Sequence, residues 1–353
     1  MPSKRYQTLE AVRGVLALYV FLGHLYAQIP SSTTDSGLLS LLLYGRSAVT
    51  VFVVLSGFSL TLPVVSQGRQ QSYTDFLQRR WRRLAPGYYG TILVTFVLRW
   101  FQWREMGLSL AIPLQAWVSN LLFMTDFDFA ANSWFSQTFW SMAVEVKLLL
   151  LFPLLLWCHQ RYGNITLLLC ASAIALLWSI PGWLYPSLPM EHIAAWYVLP
   201  FCCGIVAAQA ITTRFKPRWW LISSGLAIVI LFERFHWTPE AAFSNYSEGL
   251  CWTDLAIGVF TASLLLWLVQ WDAGGVLPLY VRWLQWEPLL WVGSWSYSLY
   301  LLHHPLSLHL ARWLAVYDLR GWSAIALETI PVLTLCYLFS LVFERPFVSR
   351  ADK

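Results

Sequence analysis

Apolar runs of about helix length recur along the chain, and they limit the folds that it can adopt. An apolar run of about twenty residues can cross a bilayer as an α-helix. Helices are favoured there because lipid offers no hydrogen-bond partner to backbone N–H and C=O groups. The 353 residues are 58% hydrophobic and 12% charged. We therefore predict an all-α polytopic membrane protein, in which residues 1–353 form a single transmembrane domain without an appended soluble domain.

The apolar runs predict about ten transmembrane helices. Their predicted bounds, in chain order, are 9–29, 47–65, 88–103, 138–157, 165–183, 193–211, 219–232, 250–269, 289–310 and 323–343. The stretch 108–124 is also apolar, but it is short and contains Pro113, so we expect an interfacial or re-entrant piece there. The first run follows two basic residues, as a signal peptide would, yet its length and the lack of a cleavage site favour a retained span.

The distribution of charge predicts the orientation of these spans, because Lys and Arg concentrate in cytoplasmic loops. One set of connections contains the basic stretches 69–83, 214–218 and 345–353, whereas the other set contains the acidic stretch 233–248. We therefore predict that the N- and C-termini and residues 69–83 are cytoplasmic and that residues 233–248 lie outside. The net charge of +5 follows from this bias. It does not predict nucleic acid as a partner.

The first predicted span carries an arginine and a histidine where lipid disfavours charge. Arg13 and His24 are eleven residues apart, which is three turns plus roughly 20°, so both side chains lie on one helix face about 16 Å apart along the axis. Ionisable residues within a span usually face a protein-lined or watery cavity. This polar stripe indicates a functional site.

Other polar residues give weaker signals. The six cysteines lie in or beside apolar runs without a CxxC spacing, which predicts neither a disulfide nor a metal framework. His303, His304 and His309 include no i, i+4 pair, so no metal site is predicted. We expect His304 and His309 at the membrane interface.

Several segments, in order along the chain, resemble motifs of the acyltransferase family 3 membrane proteins. LEAVRGVLALYVFLGH resembles the first-helix signature, in which ten residues separate an Arg from a His. VFVVLSGFSLT resembles the Phe-rich SGF segment, and RRWRRLAPGYY contains the Arg-x-x-Arg motif. FWSMAVEVKLLLLFP resembles the Trp-Ser-Leu-x-Val-Glu helix, and SWSYSLYLLHHPL with FERPF resembles the closing helices.

The resemblance implies a membrane O-acyltransferase. Such an enzyme moves an acyl group, usually acetyl, from cytoplasmic acyl-CoA (acetyl-CoA as donor) to a hydroxyl of a cell-envelope carbohydrate or lipid-linked glycan. It implies a multi-pass protein of the cell membrane, the inner membrane in a bacterium, with no tightly bound cofactor. The expected partners are acyl-CoA, a glycan or glycolipid acceptor, membrane lipids and, unless transfer is direct, a separate extracytoplasmic transferase.

His24 and Glu145 are the candidate catalytic residues. An imidazole titrates near neutrality, so His24 can take the proton of the acceptor hydroxyl as that oxygen attacks the thioester. An acyl-histidine intermediate is an alternative catalytic role. In the non-catalytic alternative, His24 is an interfacial histidine at the end of a span. Glu145 matches the family's motif and would orient or charge His24, or else tie two helices together.

Arg13, Arg80 and Arg83 are the candidate donor-binding residues. Guanidinium groups hold phosphate bidentately, and Arg80 and Arg83 lie one helical turn apart on the predicted cytoplasmic side. In the alternative reading the two arginines only anchor the third span, and Arg13 only forms an ion pair with Glu10. The candidate cavity-lining residues are Glu10, Tyr88, Tyr300 and His303.

Two other functions compete with the enzyme. A transporter or flippase would use the same polar cavity, but it predicts inverted repeats, and the stripe has no counterpart in residues 250–269 or 289–310. A non-catalytic membrane partner would be expected to lose the polar set. That set is complete, with Arg13, His24, Arg80, Arg83 and Glu145. The enzyme is therefore favoured.

Overall fold

The computed structural model describes residues 6–28, 41–43, 45–68, 72–184, 194–211, 225, 250–274, 277–319 and 321–348. In these residues the regular secondary structure is helical and no strand occurs. The α-helices are α1 Gln7–Tyr26, α2 Gly45–Gln67, α3 Tyr73–Glu105, α4 Leu114–Leu121, α5 Phe129–Asn132, α6 Phe139–Leu184, α7 Val198–Ala210, α8 Leu250–Gly274, α9 Glu287–Gly293, α10 Ser296–Ala315 and α11 Trp322–Phe343. The all-α prediction is confirmed for this part of the chain.

Several described helices are long and apolar enough to cross a membrane. Five segments meet this condition among the described residues: Gln7–Tyr26, Gly45–Ser66, Phe139–Trp178, Thr253–Gly274 and Trp322–Phe347. The protein is therefore multi-pass. Ten spans and the orientation of the termini stay predictions, and the predicted span 219–232 and loop 233–248 lie outside the described residues, apart from residue 225.

Three boundaries differ from those predicted. The basic residues 79–83 lie within α3, which begins at Tyr73, and not in a loop. The predicted span 289–310 is divided, because α9 ends at Gly293 and α10 begins at Ser296. The predicted spans 138–157 and 165–183 both fall in α6, where the backbone of Gly163 (φ 85°, ψ 179°) interrupts the helix. A positive φ of this kind favours glycine.

The chain divides into two compact units, and the first comprises Met1–Leu16, Arg46–Tyr73 and Val144–Leu290. Its core joins α1, α2, α7 and α8 through Leu9, Phe58, Cys203 and Leu265, among others. Close backbone approach makes this packing possible. A Cβ atom on Gly57 would overlap the carbonyl oxygen of Phe201, and one on Gly204 would overlap that of Val54. Small residues allow membrane helices to approach in this way.

The second unit comprises Ala17–Gly45, Thr74–Ala143 and Trp291–Lys353. Here α3 packs on α10, because Gly87 leaves room for Tyr297, whose Oη donates to the carbonyl of Leu84 at 2.8 Å. At the start of α10, Glu344 accepts hydrogen bonds from the Ser298 backbone N–H at 3.0 Å and from its Oγ at 2.5 Å. These contacts fix α10, which carries the histidines described next.

Candidate active site

The second unit brings His24 of α1 together with His303 of α10. His24 Nδ1 lies 3.3 Å from His303 Nε2, and the ring centroids are 5.0 Å apart. His303 is completely buried, whereas His24 is only partly buried. Two residues that the sequence predicts as catalytic and cavity-lining are therefore direct neighbours.

Backbone carbonyls assign the tautomers of this pair. His24 Nδ1 lies 2.9 Å from the carbonyl oxygen of Val20, and His303 Nδ1 lies 2.8 Å from that of Leu299. A carbonyl oxygen only accepts, so both Nδ1 atoms carry the hydrogen in the neutral rings. The lone pair of His303 Nε2 then faces the N–H of His24. His24 Nε2 keeps its own lone pair, and no described residue forms a hydrogen bond with it.

His304 also packs against His24, with ring centroids 4.9 Å apart. Its side chain is only 6% exposed. His304 is therefore enclosed by protein, and its depth at the membrane interface stays a prediction. Within the described residues, no three metal-ligating side chains converge on one point. The SWSYSLYLLHHPL motif indicated one cavity-lining histidine, His303. Nothing in the sequence spacing indicated that the adjacent His304 also contacts His24.

Tyr300 lies one turn before His304 on α10, and its hydroxyl forms a hydrogen bond with Ser141. The Oη–Oγ distance is 2.5 Å. Because Ser141 Oγ also reaches the carbonyl of Thr138 at 2.8 Å, the Tyr300 hydroxyl is the donor. The ring centroid of Tyr300 is 6.2 Å from that of His303. Tyr300 thus ties α6 to α10 beside the paired imidazoles.

Tyr88 has a packing role. Its ring stacks on Phe123 with centroids 4.1 Å apart, and its Oη donates to the carbonyl of Asn120 at 2.8 Å. The side chain is fully buried. Its predicted place on the cavity wall stays a prediction.

The first unit holds Arg13, whose guanidinium group is bound on two sides. Nη1 donates to Glu10 Oε1 at 2.7 Å, and Nη2 donates to Ser59 Oγ at 3.1 Å. The ion pair considered as the alternative role of Arg13 is therefore present. Ser59 belongs to the SGF segment, so two of the recognised motifs meet at this contact.

The remaining predicted residues lie on α3 and α6. Arg80 lies over the ring of Phe76, 5.9 Å from its centroid, and Arg83 is near enough to Glu344 to act on it electrostatically. Glu145 is partly buried and belongs to the first unit, whereas His24 belongs to the second. The predicted interaction of Glu145 with His24 stays a prediction.

The fold and the site together define a class: a multi-pass helical membrane protein with a motif-borne histidine that offers a free lone pair. Comparison with known proteins agrees with this class. Residues 6–342 match the family described as "Acyltransferase domain". The chain belongs to acyltransferase family 3.

Curated relatives carry consistent names. The acyltransferase MdmB of Streptomyces mycarofaciens is 25% identical over 328 residues, which is 86% of this chain and 80% of MdmB. YrhL of Bacillus subtilis (strain 168), provisionally named as a peptidoglycan O-acetyltransferase, is 25% identical over 292 residues, 74% of this chain and 44% of YrhL. The O-acetyltransferase OatA of Staphylococcus aureus (strain NCTC 8325 / PS 47) is 23% identical over 342 residues, 87% of this chain and 51% of OatA. The chain thus spans about half the length of the two O-acetyltransferases. No solved structure matches it.

Proposed function

We propose that this protein is an O-acyltransferase of the cell membrane, which moves an acyl group, typically acetyl, from cytoplasmic acyl-CoA to a hydroxyl of a cell-envelope carbohydrate or lipid-linked glycan. Its family supports acyl transfer. The names of OatA and YrhL support acetyl as the group and, for YrhL, a glycan as the acceptor. The observation that carries the proposal is the geometry of His24, whose Nδ1 is held by Val20 and His303 while Nε2 stays available.

That geometry supports a direct transfer in which His24 acts as general base. Nε2 accepts the proton of the acceptor hydroxyl while the hydroxyl oxygen attacks the thioester carbonyl. The new C–O bond forms, the C–S bond breaks, and the proton passes from His24 to the departing CoA thiolate. His303 Nε2 accepts the hydrogen bond from His24 Nδ1 throughout, which keeps Nε2 directed at the substrate.

An acyl-histidine route uses the same lone pair. In that route Nε2 attacks the thioester and releases CoA, and the acceptor hydroxyl then removes the acyl group. Single-turnover reaction with labelled acetyl-CoA in the absence of acceptor distinguishes the two routes. A labelled protein adduct supports the acyl-histidine, and an active preparation without an adduct supports direct attack.

Donor binding is assigned to Arg80 and Arg83, with Arg13 as a positioning residue. Guanidinium groups match the phosphates of CoA in charge and shape. Since Arg13 is already bound by Glu10 and Ser59, its side chain is oriented before any substrate arrives. Glu145 is the remaining proposed catalytic residue, with the role of orienting or charging His24.

Mass spectrometry of envelope glycans and lipids tests the proposed function. Cells with the wild-type protein should show a species heavier by one acyl group, and cells without it should lack that species. His24→Ala should remove the species because loss of a general base typically slows a reaction 10²–10⁴-fold. His159→Gln, in the first unit, is the matched control and should retain the species. Full acylation in cells with His24→Ala would overturn the proposed role of His24.

A further inference from the structure

A second group of basic side chains lies in the same unit as His24 and has no place in the mechanism above. It consists of Arg99 on α3 and of His304, His309 and Arg312 on α10. Arg99 and Gln102 are one turn apart on α3, and Arg312 Nη1 donates to Gln102 Oε1 at 3.1 Å. Arg312 therefore lies over the turn of α3 that also presents Arg99.

Electrostatic interactions connect the two arginines with each other and with both histidines. Arg99 and Arg312 repel each other, and both act on His304 and His309. Within the described part of the chain, neither arginine forms an ion pair with a carboxylate. Two neighbouring guanidinium groups without a counter-ion are unfavourable in a membrane. An anion held between them would remove that repulsion.

Hydrogen-bonding capacity is left over at the same place. Arg99 Nε, His304 Nδ1, Ser307 Oγ and His309 Nε2 are buried, and none has a hydrogen-bond partner among the described residues. His304 and Ser307 are 6% and 1% exposed. Buried polar atoms are normally paired, and each orphan costs free energy. A ligand with several oxygen atoms would satisfy them, and guanidinium groups favour phosphate.

The position of the group separates it from the predicted donor site. Arg83 and Arg99 are sixteen residues apart on α3, which corresponds to about 24 Å along a helix. That distance approaches the ~30 Å thickness of a hydrocarbon core. A CoA phosphate held at Arg80 and Arg83 therefore does not reach Arg99. His304, in contrast, contacts His24 directly.

We propose that Arg99, His304, His309 and Arg312 form a binding site for a phosphate group of the acyl acceptor and so hold the acceptor hydroxyl beside His24. The assignment of this phosphate to the acyl acceptor rests on the proposed function, whereas the binding of phosphate does not. The acceptor is then a phosphate-bearing glycan or glycolipid. His309 Nδ1 donates to the carbonyl of Pro305 at 2.7 Å, so Nε2 of the neutral ring accepts from a P–OH group, and Nε2 of the imidazolium donates to a phosphate oxygen.

The test is a thermal-shift titration of the full chain in a neutral detergent, with inorganic phosphate as the probe and sodium chloride at equal ionic strength as the control. Three proteins are compared: the wild type, Arg99→Gln with Arg312→Gln, and Arg80→Gln with Arg83→Gln. Phosphate should raise the melting temperature of the wild type and of the Arg80/Arg83 variant. The shift should be smaller in the Arg99/Arg312 variant than in the wild type, because only the donor site is then left to bind phosphate. Arg312→Gln alone, at an exposed position, should weaken phosphate binding about tenfold, a loss of one charge-assisted contact.

CoA is the second probe and shows whether the variants are folded. The Arg99/Arg312 variant should keep its CoA-dependent shift, and the Arg80/Arg83 variant should lose it. Loss of the CoA shift in a folded Arg99/Arg312 variant would make the group part of the donor site and overturn the proposal. A phosphate shift no larger than that with chloride, or one that the Arg99/Arg312 variant retains in full, would also overturn it. None of these readouts requires turnover, so failure of the acyltransferase assay leaves the result intact.

Discussion

At the scale of single residues, the two nitrogen atoms of His24 differ in their surroundings. Nδ1 is held by an acceptor on its own helix and by a second imidazole, and Nε2 is free of described partners. The arrangement resembles the logic of catalytic triads, in which a third group fixes the tautomer of the base. Here the third group is a neutral ring whose own hydrogen is committed to the Leu299 carbonyl.

His303 should therefore act as a positioning residue. We expect His303→Leu to lower kcat about tenfold or more, because partners that orient a catalytic group are typically worth 10–100-fold. The KM for acetyl-CoA should stay the same, since the substitution touches no donor-binding residue. Steady-state kinetics with varied acetyl-CoA measures both parameters, and His159→Gln is the control. An unchanged kcat would leave His303 with a packing role only.

Two buried carboxyl groups differ in how well they are satisfied. Asp254 accepts hydrogen bonds from Thr50 Oγ1, from Trp196 Nε1 at 2.8 Å and from Arg46 Nη2 at 3.3 Å. Glu328 of α11 is completely buried, and neither of its oxygens has a partner among the described residues. Burial of an unpaired polar group is costly, whereas removal of one member of a buried ion pair is strongly destabilising.

Substitution of these residues should therefore change stability to different extents. Asp254→Ala should lower the free energy of unfolding by about 3 kcal/mol because it removes the carboxylate from Arg46. Glu328→Gln should change it by less than about 1 kcal/mol, since no hydrogen bond to a described residue is lost. Thermal inactivation of the detergent-solubilised protein measures both. A Glu328→Gln protein as unstable as Asp254→Ala would show that Glu328 has a structural partner.

Part of the candidate active site could be predicted from the sequence. The helical spacing predicted the Glu10–Arg13 pair and placed His24 on a polar face, because both are properties of one helix. It did not predict that His303 meets His24, since 279 positions separate them in the chain. His304 was expected at the membrane interface, but every residue from Tyr300 to Ser307 is buried in the protein. When a helix is packed on several sides, helical periodicity no longer distinguishes its buried face from its exposed face.

At the scale of elements, glycine sets the distance between α2 and α7. Gly57 and Gly204 each face a backbone carbonyl of the other helix, and a Cβ on either would overlap it. The SGF segment therefore has a packing role besides its contact with Arg13 through Ser59. The sequence motif alone did not indicate that Gly57 serves helix packing whereas Ser59 contacts Arg13.

Gly57→Ala should therefore destabilise the first unit. We expect a loss of about 1–3 kcal/mol, the usual cost of forcing one extra methyl group into a packed site, or failure to accumulate the folded protein. Gly274→Ala is the matched control, because a Cβ there meets no atom of a described residue within 4 Å. Fluorescence-detected size-exclusion chromatography after heating compares the two. Equal heat resistance of both variants would mean that α2 and α7 separate at little cost.

The helix α3 illustrates what charge patterns do and do not determine. The positive-inside rule concerns the side of the membrane and not the backbone conformation, so the stretch 79–83 was expected in a loop. In the structure it continues the helix that starts at Tyr73. Arg80 and Arg83 are consequently presented from a rigid element, as a phosphate-binding pair requires.

At the scale of the whole molecule, family membership covers almost the full chain, and the relatives differ in how much lies beyond it. The chain spans 80% of MdmB but only about half of YrhL and OatA. The alignments with all three relatives therefore support membrane acyl transfer, and experiment must identify the acceptor. A phosphate on that acceptor would have to reach Arg99, so the side of the membrane to which this end of α3 is exposed becomes decisive.

Opposite ends of α3 should be labelled from opposite sides of the membrane. The helix has 33 residues, about 50 Å of length, which exceeds a bilayer core. In a cysteine-free background, Met106→Cys should react with an impermeant maleimide in intact cells, and Gln78→Cys should react only after permeabilisation. Both native side chains are exposed, so neither change should disturb packing. Labelling of Gln78→Cys alone in intact cells would invert the topology and put the Arg99 site on the cytoplasmic side. The proposed phosphate would then belong to a cytoplasmic ligand, and the acceptor would have to reach His24 from the other face.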